Sequence, residues 1–149
     1  MSRDVHRRKP KRMDKLFLDT NYLLDVAFNE RPFAEAASKL FSLIARNNAQ
    51  GIITASTLKD FYFIARKSSS DEIRREWIKL FSDVLTVVPM NLNHVKIASC
   101  SDEPDFEDGL MRAVAEAQRC TYIISRDKNA FVNSRVPKMD SVSYLKRVR

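Results

Sequence analysis

Four aspartates in separate segments carry the chemistry this chain can offer: Asp19, Asp60, Asp108 and Asp127. Asp19 directly follows the apolar run Leu16-Phe17-Leu18, and Asp127 closely follows Tyr122-Ile123-Ile124. Asp60 lies in the segment after a second apolar run, Ile52-Ile53, and Asp108 in the segment that leads into Ile123-Ile124. Taken singly, each has a plain structural role as a turn residue or helix cap. Taken together they ask for more, because clustered carboxylates repel and raise one another's pKa unless a cation neutralises them. Hard divalent cations take oxygen ligands, and Mg²⁺ typically combines one or two carboxylates with waters and a substrate phosphate. Such an ion can bind a scissile phosphate and stabilise the leaving oxygen. A metal-dependent phosphodiesterase needs carboxylates, and needs no histidine, cysteine or glycine loop.

That is also what the composition leaves available. The chain has 149 residues, 44% of them hydrophobic and 30% charged, as expected of one globular domain. Its only glycines are Gly51 and Gly109, so neither a GxGxxG nor a Walker A loop can be built. Cys100 and Cys120 are too far apart for a CxxC motif, and His6 and His94 stand alone. Cys120 reads as a packed thiol. No apolar run is long enough for a membrane helix or a secretory leader, so a cytoplasmic protein is expected. The net charge of +7 is concentrated at the start: residues 1–15 hold seven basic residues against two acidic ones. A basic, flexible arm is expected over 1–14, a solvated tail or a phosphate attractor, ahead of one domain over 15–149.

Short apolar runs alternate with helical patterns through that domain. Strands are expected at 16–18, 51–55, 85–88, 121–124 and 136–139. Helices fall between them, with apolar positions at three- and four-residue steps, as in Ala36, Ala37, Leu40, Phe41 and Ile44. Thr57 is expected to open the helix that carries Asp60 in its first turn. Asp105 is expected to cap the helix that carries Asp108, and Asp71 to cap another. Strands alternating with helices predict an α/β fold with a parallel sheet covered on both faces. Ligands of such sheets bind beyond the carboxyl ends of the strands, where these aspartates fall. Tyr22, Phe61 and Tyr62 are either core residues or base-stacking groups.

Leu18-Asp19-Thr20-Asn21, Asp105-Phe106-Glu107-Asp108 before an alanine-rich helix, and Ile123-Ile124-Ser125-Arg126-Asp127-Lys128 resemble the motifs of PIN-domain ribonucleases. The chain is most similar to the VapC-like toxins of bacterial toxin–antitoxin pairs, over roughly residues 15–147. The resemblance implies a three-layer α/β/α sandwich with a short-stranded, mainly parallel sheet. It also implies a Mg²⁺ or Mn²⁺ site and endonucleolytic cleavage of RNA. Asp19, Asp108 and Asp127 match the family's acidic positions, and Asn21 and Ser125 its polar positions behind them. Where the family most often has Glu on the helix after the second strand, this chain has Asp60, one methylene shorter.

Lys59, Arg126 and Lys128 are the expected RNA contacts, with Arg66, Lys67 and Arg112 also near this edge. The partners expected are an RNA substrate, a cognate antitoxin protein and a second copy of the chain. The competing reading is a non-catalytic PIN-fold module with a weakened metal site that holds RNA or a protein. A phosphoryl-transfer protein fits less well, because Leu18-Asp19-Thr20-Asn21 lacks the second aspartate of a DxD phosphatase.

Overall fold

The computed structural model describes residues 12–148. Most of the expected arm lies outside the described residues. Asp14, assigned to that arm, belongs to the domain instead. Its Oδ2 accepts from the Tyr144 hydroxyl at 2.8 Å, and its carbonyl accepts from the Gln50 N–H at 2.9 Å.

The first half of the domain runs β1 (Lys15–Leu18), α1 (Thr20–Ala27), α2 (Ala34–Ala45), β2 (Gln50–Thr54), α3 (Ala55–Ala65) and α4 (Asp71–Val84). The second half runs β3 (Thr86–Val88), α5 (Leu92–Ser99), α6 (Phe106–Ala117), β4 (Tyr122–Ile124), β5 (Lys138–Met139) and α7 (Ser141–Arg147). Every strand pairing is parallel, in the order β3-β2-β1-β4-β5. The chain winds outward from β1 through β2 to β3, then returns to the far side of β1 for β4 and β5. The order therefore reverses between β1 and β4, and a crevice opens at their carboxyl ends.

Side chains alternate between the two faces of the sheet. Leu16 and Leu18 of β1 join a core with Leu23, Leu40, Phe61, Phe81 and Tyr144, built from α1, α2, α3, α4 and α7. Phe17 points the other way and packs with Ile52, Ile123, Val114 and Phe131, under α6. Helix α5 packs on α6. Their close approach uses Gly109, where a Cβ would stand 3.3 Å from Ser101 Oγ and 3.5 Å from the Ala98 Cβ. The result is the expected three-layer arrangement, with a wholly parallel sheet.

Element ends differ from expectation in ways that matter for the site. β2 passes into α3 without a loop, because Thr54 caps the helix. The Thr57 N–H donates to Thr54 Oγ1 and the Thr54 N–H to Thr57 Oγ1, each at 3.2 Å. The helix thus starts at Ala55, and Asp60 sits in its second turn, not its first. Ser70 rather than Asp71 caps α4, accepting from the Ile73 N–H at 3.2 Å. Cys120 is buried, as expected of a packed thiol, and burial pushes it up to about 11.

Candidate active site

The two strands flanking the reversal point each deliver one aspartate. Asp19 ends β1 and caps α1, its Oδ1 accepting from the Thr20 N–H at 2.7 Å. Its other oxygen, Oδ2, accepts from the Ser125 hydroxyl at 2.8 Å. That same hydroxyl accepts from the Asp127 N–H at 3.2 Å. Buried Ser125 thus ties the loop after β4 to the carboxylate after β1. Asp127 Oδ1 closes its own turn, accepting from the N–H groups of Asn129 at 2.8 Å and Ala130 at 3.3 Å.

Asp108 enters from the third position of α6. The cap of this helix is Asp105, whose Oδ1 accepts from the Asp108 N–H at 3.0 Å. Asp105 therefore has the capping role expected of it. Asp19, Asp60 and Asp108 line one cleft of about 790 Å³, with Lys59, Phe63 and Phe106. The walls are joined through Met111 of α6, whose sulfur lies 3.9 Å from the hydroxyls of Thr54 and Thr57 at the start of α3.

Of the described acids at this edge, only Asp60 has a counter-charge, Lys59 at 3.3 Å. Among the described residues, Asp19, Asp108 and Asp127 form no ion pair. Burial pushes Asp108 up to about 7, reinforced by the charges of Asp19, Asp105, Asp127 and Glu103. Burial also raises Asp19, against the hydrogen bonds from Ser125 and Thr20, and with the charges of Asp127 and Asp25 adding to the rise. As the side chains stand, no three acidic, histidine or cysteine groups among the described residues are arranged around one metal ion. The donor set nevertheless suits a hard divalent cation: oxygen ligands only, excess negative charge, and a need for only one or two carboxylates with waters.

The other expected site residues fall differently. Asp60 shares the cleft, but its Oδ1 lies 3.3 Å from Lys59 Nζ. Asn21 is exposed on the first turn of α1, and no hydrogen bond among the described residues ties it to the carboxylates. Lys128 is exposed, and Lys59 faces the cleft. Arg126 does not face it. Its Nε and Nη2 bond the carboxylate of Asp25 at 3.1 Å each, and its guanidinium lies 5.0 Å from the Phe33 ring centroid. Buried Asp25, which also holds Arg31, draws it away from the cleft. Arg112 is likewise taken, by Asp102, Glu103 and Glu116.

Sequence reasoning missed Asp25, which is 3% exposed and holds both Arg126 and Arg31. Its signal was a lone charge within the apolar stretch Leu23-Leu24-Asp25-Val26. Tyr22 and Phe61 are core residues. Tyr62 bonds Asp71 and lies under Arg74, whose guanidinium is 4.0 Å from the ring centroid. The aromatic groups that do line the cleft are Phe63 and Phe106.

Known proteins share this fold. The toxin VapC20 of Mycobacterium tuberculosis, which cleaves the sarcin-ricin loop, superposes with a TM-score of 0.62 at 14% identity, over 75% of this chain and 89% of that one. VapBC2 of Rickettsia felis, bound to a DNA fragment from its promoter, gives 0.63 at 13% identity, over 85% and 98%. A toxin–antitoxin complex from Klebsiella pneumoniae gives 0.64 at 16% identity, over 85% and 97%. At these identities the likeness carries the fold. No curated protein matches the chain significantly in sequence. The family model for the PIN domain matches residues 15–129, a span that starts with β1 and ends just past Asp127, and the chain belongs to the PIN-domain family.

Proposed function

We propose that this protein is a Mg²⁺- or Mn²⁺-dependent endoribonuclease that serves as the toxin of a toxin–antitoxin pair. The observation that carries this reading is the set of unpaired carboxylates at the reversal point of the sheet. Acids held together without a cation, one of them pushed up to about 7, are costly unless a ligand neutralises them. Asp19 and Asp108 would hold the ion, with Asp127 beside them and Asp60 from across the cleft. An ion bound there supplies Lewis-acid polarisation of a phosphate oxygen and lowers the pKa of a water. Ser125 and the Thr20 N–H keep Asp19 in place, one donating to each carboxylate oxygen. Lys59, and Lys128 after Asp127, would attract the RNA backbone. The partner reading draws on the toxin–antitoxin complexes among the similar folds, and places the protein in the cytoplasm with its RNA. Among the described residues no helix is long and apolar enough to cross a membrane.

The test is cleavage of single-stranded RNA by the purified chain, with Mg²⁺ or Mn²⁺ and with EDTA. Metal-dependent products with 5′-phosphate and 3′-hydroxyl ends are expected, since no histidine among the described residues lines the cleft to activate a ribose 2′-hydroxyl. Cyclic-phosphate ends formed in EDTA would remove the metal route. One observation favours a second reading, a non-catalytic module with a weakened site: the shorter Asp60 is engaged by Lys59. No cleavage under any metal, with RNA still bound, would establish that reading.

A further inference from the structure

The cleft joins its acidic end to aromatic surface in a way that metal binding does not require. Ser56, Lys59, Asp60, Phe63 and Ile64 share one face of α3 by their three- and four-residue spacing, and all line the cleft. Phe63 lies about 4.5 Å further along the helix axis than Asp60. Its ring is 60% exposed, although the Arg66 guanidinium covers part of it at 3.7 Å from the centroid. From α6, Phe106 lines the same cleft two positions before Asp108 and is 50% exposed. Each helix therefore presents a carboxylate and, within one turn of it, an open aromatic ring. On α3 the order continues to a cation, Arg66.

We propose that this cleft holds an unpaired nucleobase of a single-stranded RNA against Phe63 and Phe106, next to the carboxylates that face the scissile phosphate. The inference rests on the ribonuclease reading and adds to it the two side chains that hold a base beside the cut. A nucleotide is flat and apolar at the base and anionic at the phosphate, and this cleft offers rings with a cation beside them. Bases stack on aromatic side chains whatever their identity, but only when they are out of a duplex. Arg66 contributes twice: its guanidinium stacks on Phe63 and supplies charge for a neighbouring phosphate. Phe63 and Phe106 thus position the nucleotide next to the cut.

The experiment uses the full chain carrying Asp19→Asn, so that bound RNA stays intact, and a mixed-sequence oligoribonucleotide containing 2-aminopurine. Its fluorescence should be quenched on binding, a signature of stacking. Adding Phe63→Ala or Phe106→Ala should remove the quenching and weaken binding by about five- to a hundred-fold each. Both rings are exposed, so the melting temperature should stay near that of the parent. Phe63→Tyr should restore binding, Phe63→Leu should not, and a fully paired duplex should bind more weakly than the single strand. If Leu restores binding as well as Tyr, the surface is merely apolar and suits a protein segment, which overturns the proposal. Wild-type cleavage of RNA that is indifferent to all these substitutions overturns it too, and leaves the ribonuclease reading standing. If the chain neither binds nor cuts RNA, both fall together.

Discussion

The carboxyl edge of the sheet and the loops beside it are both rich in acids, but they treat them in opposite ways. At the edge, Asp19, Asp108 and Asp127 have no cationic partner among the described residues, and burial raises two of them. A short distance away in the chain, Glu103 is 2% exposed yet fully engaged. Its Oε1 takes Arg112 Nη1 at 3.3 Å, and its Oε2 accepts from the Phe131 N–H at 3.2 Å. Glu116 faces Arg112 Nε at 3.1 Å and Arg135 Nη2 at 3.3 Å. Burial would raise Glu116, but the Arg135 N–H and the two guanidinium groups outweigh it, and its pKa is lowered. Asp25 is neutralised in the same manner by Arg31 and Arg126. Arginines thus hold Glu103, Glu116 and Asp25, and none pairs with Asp19, Asp108 or Asp127 among the described residues. Arg126 makes the contrast sharpest: it sits between Ser125 and Asp127, and still pairs with Asp25.

The largest effect should come from the unpaired set. Asp19→Ala, Asp108→Ala and Asp127→Ala should each lower RNA cleavage by at least ~1000-fold, and pairs of these changes should cost little more than one. Residues that hold one ion act as a unit, so their losses do not add. Rates on a fixed single-stranded substrate would decide this. If one of the three retains near-normal rates, that aspartate belongs with the structural acids.

The paired set should instead answer in stability. Arg112→Leu leaves Glu103 buried without its cation, and should lower unfolding free energy by about 3 kcal/mol. Part of that loss reflects Phe131, a bulky residue at φ 62° held by the Glu103 carboxylate. Glu103→Gln in the same chain should recover some of it, because the amide oxygen can still accept from Phe131. Urea melts of the two variants and the wild type measure this. An Arg112→Leu protein of unchanged stability would mean that the network is ornamental.

The two sets were unequally legible in the sequence. Motif order, and the places of Asp19 and Asp127 just past a strand, led to the choice of Asp19, Asp108 and Asp127, and the fold brings Asp19 and Asp108 to one cleft. The strands and their parallel pairing followed from short apolar runs alternating with helical spacing. Arginine partners were not legible. Arg112 and Arg126 looked like RNA contacts because they stand beside the motifs, and only the direction of each side chain shows that Glu103 and Asp25 claim them. Asp60 was misplaced by one helical turn because Thr54 ends a strand and caps a helix at once. Phe63 and Phe106 carried no periodic signal separating them from Phe61, which is one of the core's largest buried side chains.

A smaller effect is expected in the pH dependence of the metal-free protein. An acid whose folded pKa is raised destabilises the fold as it ionises. Asp108 moves from an ordinary value of about 4 to about 7. The contribution of Asp108 to metal-free stability should therefore be fullest below pH ~4, decline as the pH climbs to ~7, and level off above that. Asp108→Asn should flatten this decline and leave the protein about 1–2 kcal/mol more stable at pH 8. The figure allows for water reaching a half-buried group. Mg²⁺ should raise the wild-type melting temperature and raise that of Asp108→Asn less. Thermal melts across pH 4–8, with and without Mg²⁺, make the comparison. A stability difference between Asp108→Asn and wild type that does not grow with pH would contradict the repulsion on which the contrast rests.

The smallest effect should fall on Asp60, which stands between the two classes. It faces the cleft like the unpaired acids, and holds a cation, Lys59, like the paired ones. The pair is weak, because Lys59 is mostly exposed and such contacts contribute at most about 1 kcal/mol. Lys59 can therefore yield when a stronger cation or an RNA phosphate arrives. Asp60→Glu adds one methylene, lengthening the reach from the second turn of α3 towards Asp19 and Asp108. Cleavage should be retained or rise by a few-fold, and Asp60→Ala should lower it by less than the other three aspartates do. Lys59→Ala separates the two roles of the pair. It should weaken RNA binding in a salt-dependent way, by removing a phosphate contact. It should also leave Asp60 free to join the acidic set, so that half-saturation by Mn²⁺ occurs at a lower concentration. If Asp60→Glu abolishes cleavage while the fold is intact, the position is built for Asp, and its shorter side chain is no departure from a working site.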